Sequence, residues 1–395
     1  MTSSTDTQPQ IVQLPTPRSR WWSIPLAAIG LSALTGVAVA GFVPASTFAE
    51  KPLPVNFGGD GVTPEATPFA RVPAGAEAVN DRVSFGDDLP DSATRYEPSN
   101  DFFFVTITEP PQSALSWFVG RDELPIEFLT DVEKYGLSTP SERRQVSRQM
   151  MATSEQVAQF VALDRAGYEV ELIPGEVVVS ELVCFEVEEE RCTRTAPADE
   201  VLDAGDVLLE AAGEKLENLD DLAAVLKGRA PGDVVALTFQ RGATTKTVDV
   251  ELVADPDEPD RSIVGFVPVE TFRVVLPFEV DIDTGEIGGP SAGLAFTLSL
   301  LDDLTEGDLT PGRDIAVTGT IGVDGTVGPI GGLPQKVEAV KQTGVDVFLV
   351  PASQDDLDAA MAVAGDDIEV IPVATVDEAI AELVRLGGDP VEPSS

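Results

Sequence analysis

Charge is dense along this chain except where it stops altogether. Of 395 residues 68 are acidic and 25 basic, a formal charge of −43, yet residues 21–44, 287–301 and 325–335 carry no charged side chain at all. Ionised groups are expelled from dry surroundings unless they are paired. These three stretches can therefore be taken out of water, and whatever the chain builds must use them. The acidity excludes a class of partner as well: such a surface repels phosphate backbones and anionic headgroups, which argues against nucleic-acid binding. It is also compatible with a salty habitat.

The first neutral stretch reads as a membrane element. Residues 24–43 form a run of 20 without charge, about 30 Å long as a helix at roughly 1.5 Å per residue, enough to cross a bilayer. Arg18 and Arg20 precede it, and Trp21 and Trp22 sit at its edge. That order predicts a cytoplasmic tail, an aromatic interface anchor and an exported remainder: a single-pass cell-membrane protein with its bulk extracytoplasmic. The length of the run favours an uncleaved anchor, while the small residues of "AVA" at 38–40 leave a cleaved signal peptide open. Cys184 and Cys192, the two cysteines present, are too few for a structural zinc site, and in an exported chain they are candidates for a disulfide closing a small loop.

There is no histidine. This excludes Ser-His-Asp and Cys-His catalysis, His-ligated zinc and imidazole switches. The segment "DIDTGE" at 281–286 lacks the acidic fifth position and the glycine sixth position of a calcium loop, so no metal is expected there.

The second neutral stretch lies within "GEIGGPSAGLAFTLSLL". Ser291 stands where glycines give way to a helical pattern. It is either an N-cap satisfying a free amide or a nucleophile beside helix N-terminal amides that could hold an oxyanion. Without histidine, a nucleophilic serine needs Lys, Asp, Glu or a terminal amine as its base. From residue 262 onward the lysines are Lys336 and Lys341, on one predicted helix, and apolar periodicity places both at the border of its buried face. A lysine base must be neutral, which requires its pKa to fall from about 10.4 to near 7 or 8, roughly 4 kcal/mol of desolvation. The neutral stretches 287–301 and 325–335 are the ones that could form such a pocket around Ser291 and Lys336.

Coarse organisation follows from composition and period. A tail (1–20) and anchor (21–44) lead into a Pro/Gly-rich tether (45–98), then a strand "DFFFVTITE" and a helical connecting region (99–166) with Ser141 as a helix cap. A β-rich unit with one helix follows (167–253), then a charged linker (254–261), an alternating strand–helix domain (262–388) and a tail (389–395).

Two of these units resemble known families. The phrase "LDAGDVLLEAAGEKL" and the element order around it resemble a PDZ domain, although an acidic segment intervenes after the first strand and no carboxylate-binding glycine loop is evident. "GGPSAG", "VTGTI", "G-x-V-G-P-I-G-G-L-x-x-K" and "FLVP" resemble the proteolytic domain of Lon proteases, a Ser-Lys endopeptidase family. With the anchor, the layout is similar to membrane-bound, PDZ-containing Lon-like proteins. The resemblance implies an α/β (α+β) Lon-type proteolytic domain plus a PDZ-like domain after one transmembrane helix. It implies Ser291 as nucleophile, Lys336 as base and Thr318 as support for the lysine, with backbone amides of Gly289, Ser291 and Ala292 as the oxyanion site. It further implies polypeptide substrates and a homo-oligomeric ring. No cofactor is expected, and because no G-x-x-x-x-G-K-[ST] phosphate loop occurs, neither is ATP. The competing expectation is an inactive, membrane-tethered PDZ-type binding scaffold.

Overall fold

The computed structural model describes residues 35–53, 62–86, 89–90, 93–136, 139–188, 191–255, 261–310 and 312–391, with the side chains of 142, 181, 184–188 and 191–194 left aside. Most of the anchor expected at 21–44 lies outside these residues. Residues 35–42 are helical, and among the described residues no helix is long and apolar enough to cross a membrane. The side chains of Cys184 and Cys192 also lie outside them, and their backbones fall on a short antiparallel hairpin.

Before the β-rich unit the chain forms strands β1 (Phe69–Ala78), β2 (Val83–Phe85) and β3 (Phe102–Thr108), helix α1 (Ala114–Gly120), strand β4 (Glu127–Leu129) and helix α2 (Pro140–Arg165). The β-rich unit contains β5 (Glu171–Leu182), β6 (Val207–Ala211), α3 (Leu219–Leu226), β7 (Val234–Arg241), β8 (Thr244–Glu251) and β9 (Phe266–Val275). After it come β10 (Val280–Ile282), α4 (Gly293–Leu304), β11 (Ile315–Val317), α5 (Leu333–Thr343), β12 (Val347–Pro351), α6 (Leu357–Ala364), β13 (Glu369–Val373) and α7 (Val376–Leu386).

The central sheet runs β13-β12-β11-β3-β1-β4. Strands β3, β11, β12 and β13 are parallel, and β1 and β4 extend the sheet antiparallel. Its inner strands read as apolar runs, as strands covered on both faces must. Phe102, Phe104, Phe348 and Leu349 are buried.

This topology redraws the expected boundaries. The stretch read as a tether (45–98) supplies β1 and β2, and the connecting region (99–166) supplies β3, β4 and α2. The β-rich unit is therefore an insertion between two halves of one α/β domain. Proline and glycine concealed β1, because "FARVPAGAEA" bends where its register with β3 shifts between Pro73 and Gly75. β9, placed by sequence in the 262–388 domain, instead lies at the edge of the sheet β8-β7-β6-β5-β9. Strands β5 and β9 leave and re-enter the α/β domain as one antiparallel ribbon.

Helix α2 begins with Pro140 in its first position, where a missing N–H costs nothing. Ser141 therefore sits inside the first turn and is not the cap. Met151, Val157, Ala158, Val161 and Ala162 of α2 share one core with α4, β3 and β11. A fragment of residues 262–395 would lack β3 and leave β11 with an open edge. Its expected behaviour is no cooperative melting transition by circular dichroism, whereas the chain that retains 62–166 melts cooperatively.

Candidate active site

Helix α4 starts one residue later than a serine cap would require. Its N-cap is Ala292, with no side-chain capping bond, and the Ser291 hydroxyl points elsewhere. The helix packs closely here at Gly293, where a Cβ would lie 2.6 Å from both Ile321 Cγ2 and Ser154 Oγ. The loop ahead of the serine is held by α2. Ser154 Oγ donates to the Pro290 carbonyl at 3.0 Å, and the Gly289 N–H donates to the Ser147 carbonyl at 2.8 Å.

Helix α5 brings the lysine. Its N-cap is Gly332, whose φ of 71° is left-handed and favours glycine. A Cβ at that position would lie 2.8 Å from Arg71 Cδ and 2.9 Å from Ile107 Cδ1, so this glycine also sets how closely α5 approaches β1 and β3. One turn on, Lys336 is 2% exposed.

Its Nζ reaches three oxygens: the Val105 carbonyl at 2.6 Å, Ser291 Oγ at 2.9 Å and Thr318 Oγ1 at 3.1 Å. Burial pushes the amine down from 10.5 to about 7. That is a displacement of roughly 5 kcal/mol. The N-terminal end of a helix, where Lys336 sits, also disfavours a cation.

Counting protons then assigns the lone pair. An ammonium can donate to all three oxygens, but the neutral amine has only two N–H bonds and must accept once. Val105 offers a carbonyl, which cannot donate. The Thr318 hydroxyl is committed, donating to the Ser291 carbonyl at 3.1 Å. Ser291 Oγ–H is the one group left to donate into the amine lone pair, so deprotonating Lys336 by itself turns the serine proton toward its base.

The structure thus brings Ser291, Lys336 and Thr318 together. Lys341 points away, donating to the Val363 carbonyl at 3.1 Å and pairing with Asp367 at 2.9 Å. Of the amides named for an oxyanion site, Gly289 must be withdrawn, since its N–H is taken up by Ser147. Among the described residues no backbone carbonyl accepts from the N–H of Ser291 or Ala292. Sequence reasoning missed Val105, Ser147 and Ser154. A backbone carbonyl has no side-chain signature, and the two serines lie on a helix read as packing. No group of residues able to hold a metal ion occurs among the described residues.

A cleft of about 540 Å³ adjoins this site. Its floor includes Pro290, Ile321 and Ser154, one side is α2 through Val146 and Met150, and the opposite side is the outer face of β5 and β9 through Val178 and Val269.

Comparison with known proteins bears on this geometry directly. Residues 280–385 match the family model of the Lon protease (S16) C-terminal proteolytic domain. Residues 165–252 match the PDZ domain. The chain carries a Lon-type proteolytic domain and a PDZ domain. It is 39% identical over 99 residues to Lon protease 1 of Sorangium cellulosum, covering 25% of this chain and 12% of that protein. It is 35% identical over 105 residues to a Lon protease of Azospirillum brasilense, covering 26% of this chain and 13% of that one. The chain thus spans about an eighth of the length of these curated relatives. Among solved structures, the PDZ domain of an SdrC-like protein from Listeria monocytogenes aligns at 22% identity with a TM-score of 0.20, over 24% of this chain and 87% of that one. The Lon match takes in β10 and the elements after it and does not include β1, β3 or α2, which precede the PDZ domain in the chain.

Thr318→Val keeps the shape of the side chain and removes both hydrogen bonds of the hydroxyl. Modification of Ser291 by a fluorophosphonate probe is expected to slow roughly tenfold, the effect of losing one hydrogen bond of about 1–1.5 kcal/mol, while the protein still folds and melts cooperatively. An unaltered labelling rate would show that Thr318 does not orient the amine.

Proposed function

We propose that this chain is a serine endopeptidase in which Lys336 is the general base for Ser291, acting without ATP on unfolded or flexible polypeptides outside the cytoplasmic membrane. The observation that carries the reading is a buried amine, depressed to about 7, at 2.9 Å from the serine hydroxyl inside the span that matches the Lon proteolytic domain.

In the proposed reaction neutral Lys336 takes the Oγ proton as Oγ attacks a peptide carbonyl. The amides of Ser291 and Ala292, at the positive end of α4, stabilise the oxyanion. The lysine ammonium then protonates the leaving amine as the C–N bond breaks, and water releases the acyl group with Lys336 again as base. Export is supported by the uncharged run of 24–43 and the arginines before it. ATP independence is supported by the lack of a phosphate-loop motif in this sequence. The PDZ domain and the cleft beside Pro290 supply surfaces suited to an extended chain, since PDZ domains take peptides as an added strand.

Ser291→Ala and Lys336→Ala are each expected to abolish cleavage of an unfolded protein such as casein while leaving the fold intact, and Lys341→Ala to change the rate less than about twofold, as for a surface group. Activity that survives either of the first two substitutions would refute the assignment.

The active form is the deprotonated amine, so kcat/KM is expected to rise with pH through about 7 and then level off. A flat profile between about pH 6 and 9 would contradict a lysine base of this kind.

Filling the cleft by Val269→Trp is expected to lower kcat/KM for peptides with large apolar side chains about tenfold, the size of effect for one lost hydrophobic contact, without altering Ser291 labelling. Unchanged peptide kinetics would remove the cleft from the substrate path.

A further inference from the structure

Helix α1, "ALSWFVG", is uncharged throughout, and it carries large apolar side chains on its exposed side as well as its packed one. Trp117 stacks edge-on against Phe48 with ring centroids 5.3 Å apart, and a Cβ on Gly120 would lie 2.9 Å from Ile126 Cδ1, so these two positions face the protein. At about 100° per residue, Leu115, Phe118 and Val119 fall on the opposite side. Phe118 is 59% exposed, Val119 65%, and Leu124 in the following turn 73%. A chain of charge −43 has ample means to make such a face polar. Large exposed apolar side chains gathered on one helix face, as Phe118 and Val119 are, mark an interaction surface.

The backbone indicates what covers it. The Ala114 N–H donates to the Val43 carbonyl at 2.8 Å, and the Ala45 N–H donates to the Gln112 carbonyl at 2.9 Å. The chain is therefore fastened to the start of α1 at Val43, the last residue of the 24–43 stretch read as the anchor, with no slack between them. Phe42, just before this attachment, is 89% exposed. If 24–43 crosses a bilayer, α1 must stand at its surface.

We infer that α1, the Leu124 turn and Phe42 form a seat that inserts into the interface of the leaflet from which the chain emerges. This rests on the anchor reading proposed above. Its chemistry is apolar rather than electrostatic. Asp122 and Glu123 flank the face, and the guanidinium of Arg121 lies 4.4 Å from the Phe118 ring centroid. The fitting surface is a zwitterionic lipid interface, with no need of anionic headgroups. The seat would hold the α/β domain at a fixed stance on the membrane instead of letting it swing on a tether.

The test uses the full chain in phosphatidylcholine vesicles, with Trp21, Trp22 and Trp117 each changed to Phe and Phe118→Trp as the sole indole. Emission is expected to fall roughly twofold when the acyl chains carry bromine near the headgroup, since a seated ring lies about 5–10 Å into the boundary. A control reporter at Val234→Trp, exposed at the start of β7 in the PDZ domain, is expected to remain unquenched. Adding Leu124→Asp and Val119→Asp is expected to restore the emission of the first reporter. A chain that resists alkaline carbonate washing but shows no quenching at position 118 would overturn the seat alone, as would a second copy of the chain shielding the face from bromine. A chain washed off the vesicles would overturn the anchor reading, and the seat with it.

Discussion

A primary amine held out of water without a counter-charge is the interaction on which this architecture depends. Burial is the cause of the lowered pKa of Lys336, and the protein supplies three oxygens to the nitrogen but no carboxylate. Each of the three comes from a different part of the chain: Val105 on β3, Ser291 before α4, and Thr318 after β11. The dry pocket therefore exists only when the halves of the domain on either side of the PDZ insertion are assembled. The cost of burying the amine, roughly 5 kcal/mol, is of the order of the whole stability of many domains. A core shared among α2, α4, β3 and β11 is what can carry it.

The insertion has a mechanical consequence. The chain passes from α2 into β5 and returns through β9 into β10, and β5 and β9 pair as one ribbon from Glu171–Val275 to Leu182–Phe266. Helix α2 touches the nucleophile loop through Ser154 and Ser147 and also forms one side of the cleft facing the PDZ sheet. One helix thus lies against both the PDZ sheet and the loop that carries Ser291.

Much of the second half was legible in the sequence because its signals are local. The helix at 333–343 opens after a glycine with Pro334 in its first turn, and "VFLVP" is a short continuous apolar run of the sort that buries on both faces. The absence of histidine left Lys, Asp, Glu or a terminal amine as base, and of the two lysines after residue 262 the period of α5 did not choose between Lys336 and Lys341. The neutral stretch 325–335 and the motif closing on Lys336 pointed to that lysine, and the structure shows the physical difference: one enters the pocket between β3 and α4, and the other meets Asp367. Strand β1 and the role of β3 were not legible, because the pairing of β3 with β11 joins Phe102–Phe104 to Ile315–Val317 across more than two hundred residues. No window of sequence holds such a contact. The Gly289 amide illustrates the same limit, since its acceptor is a carbonyl on a distant helix.

The central claim concerns a protonation state, and it can be read at the carbon bonded to that nitrogen. With the lysines labelled at Cε with ¹³C and the Lys336 resonance assigned by its loss in Lys336→Met, titration of the full chain would follow that one carbon. The account predicts a midpoint near 7, the depressed value that burial gives this amine. A midpoint near about 10, the ordinary value for lysine, would contradict it.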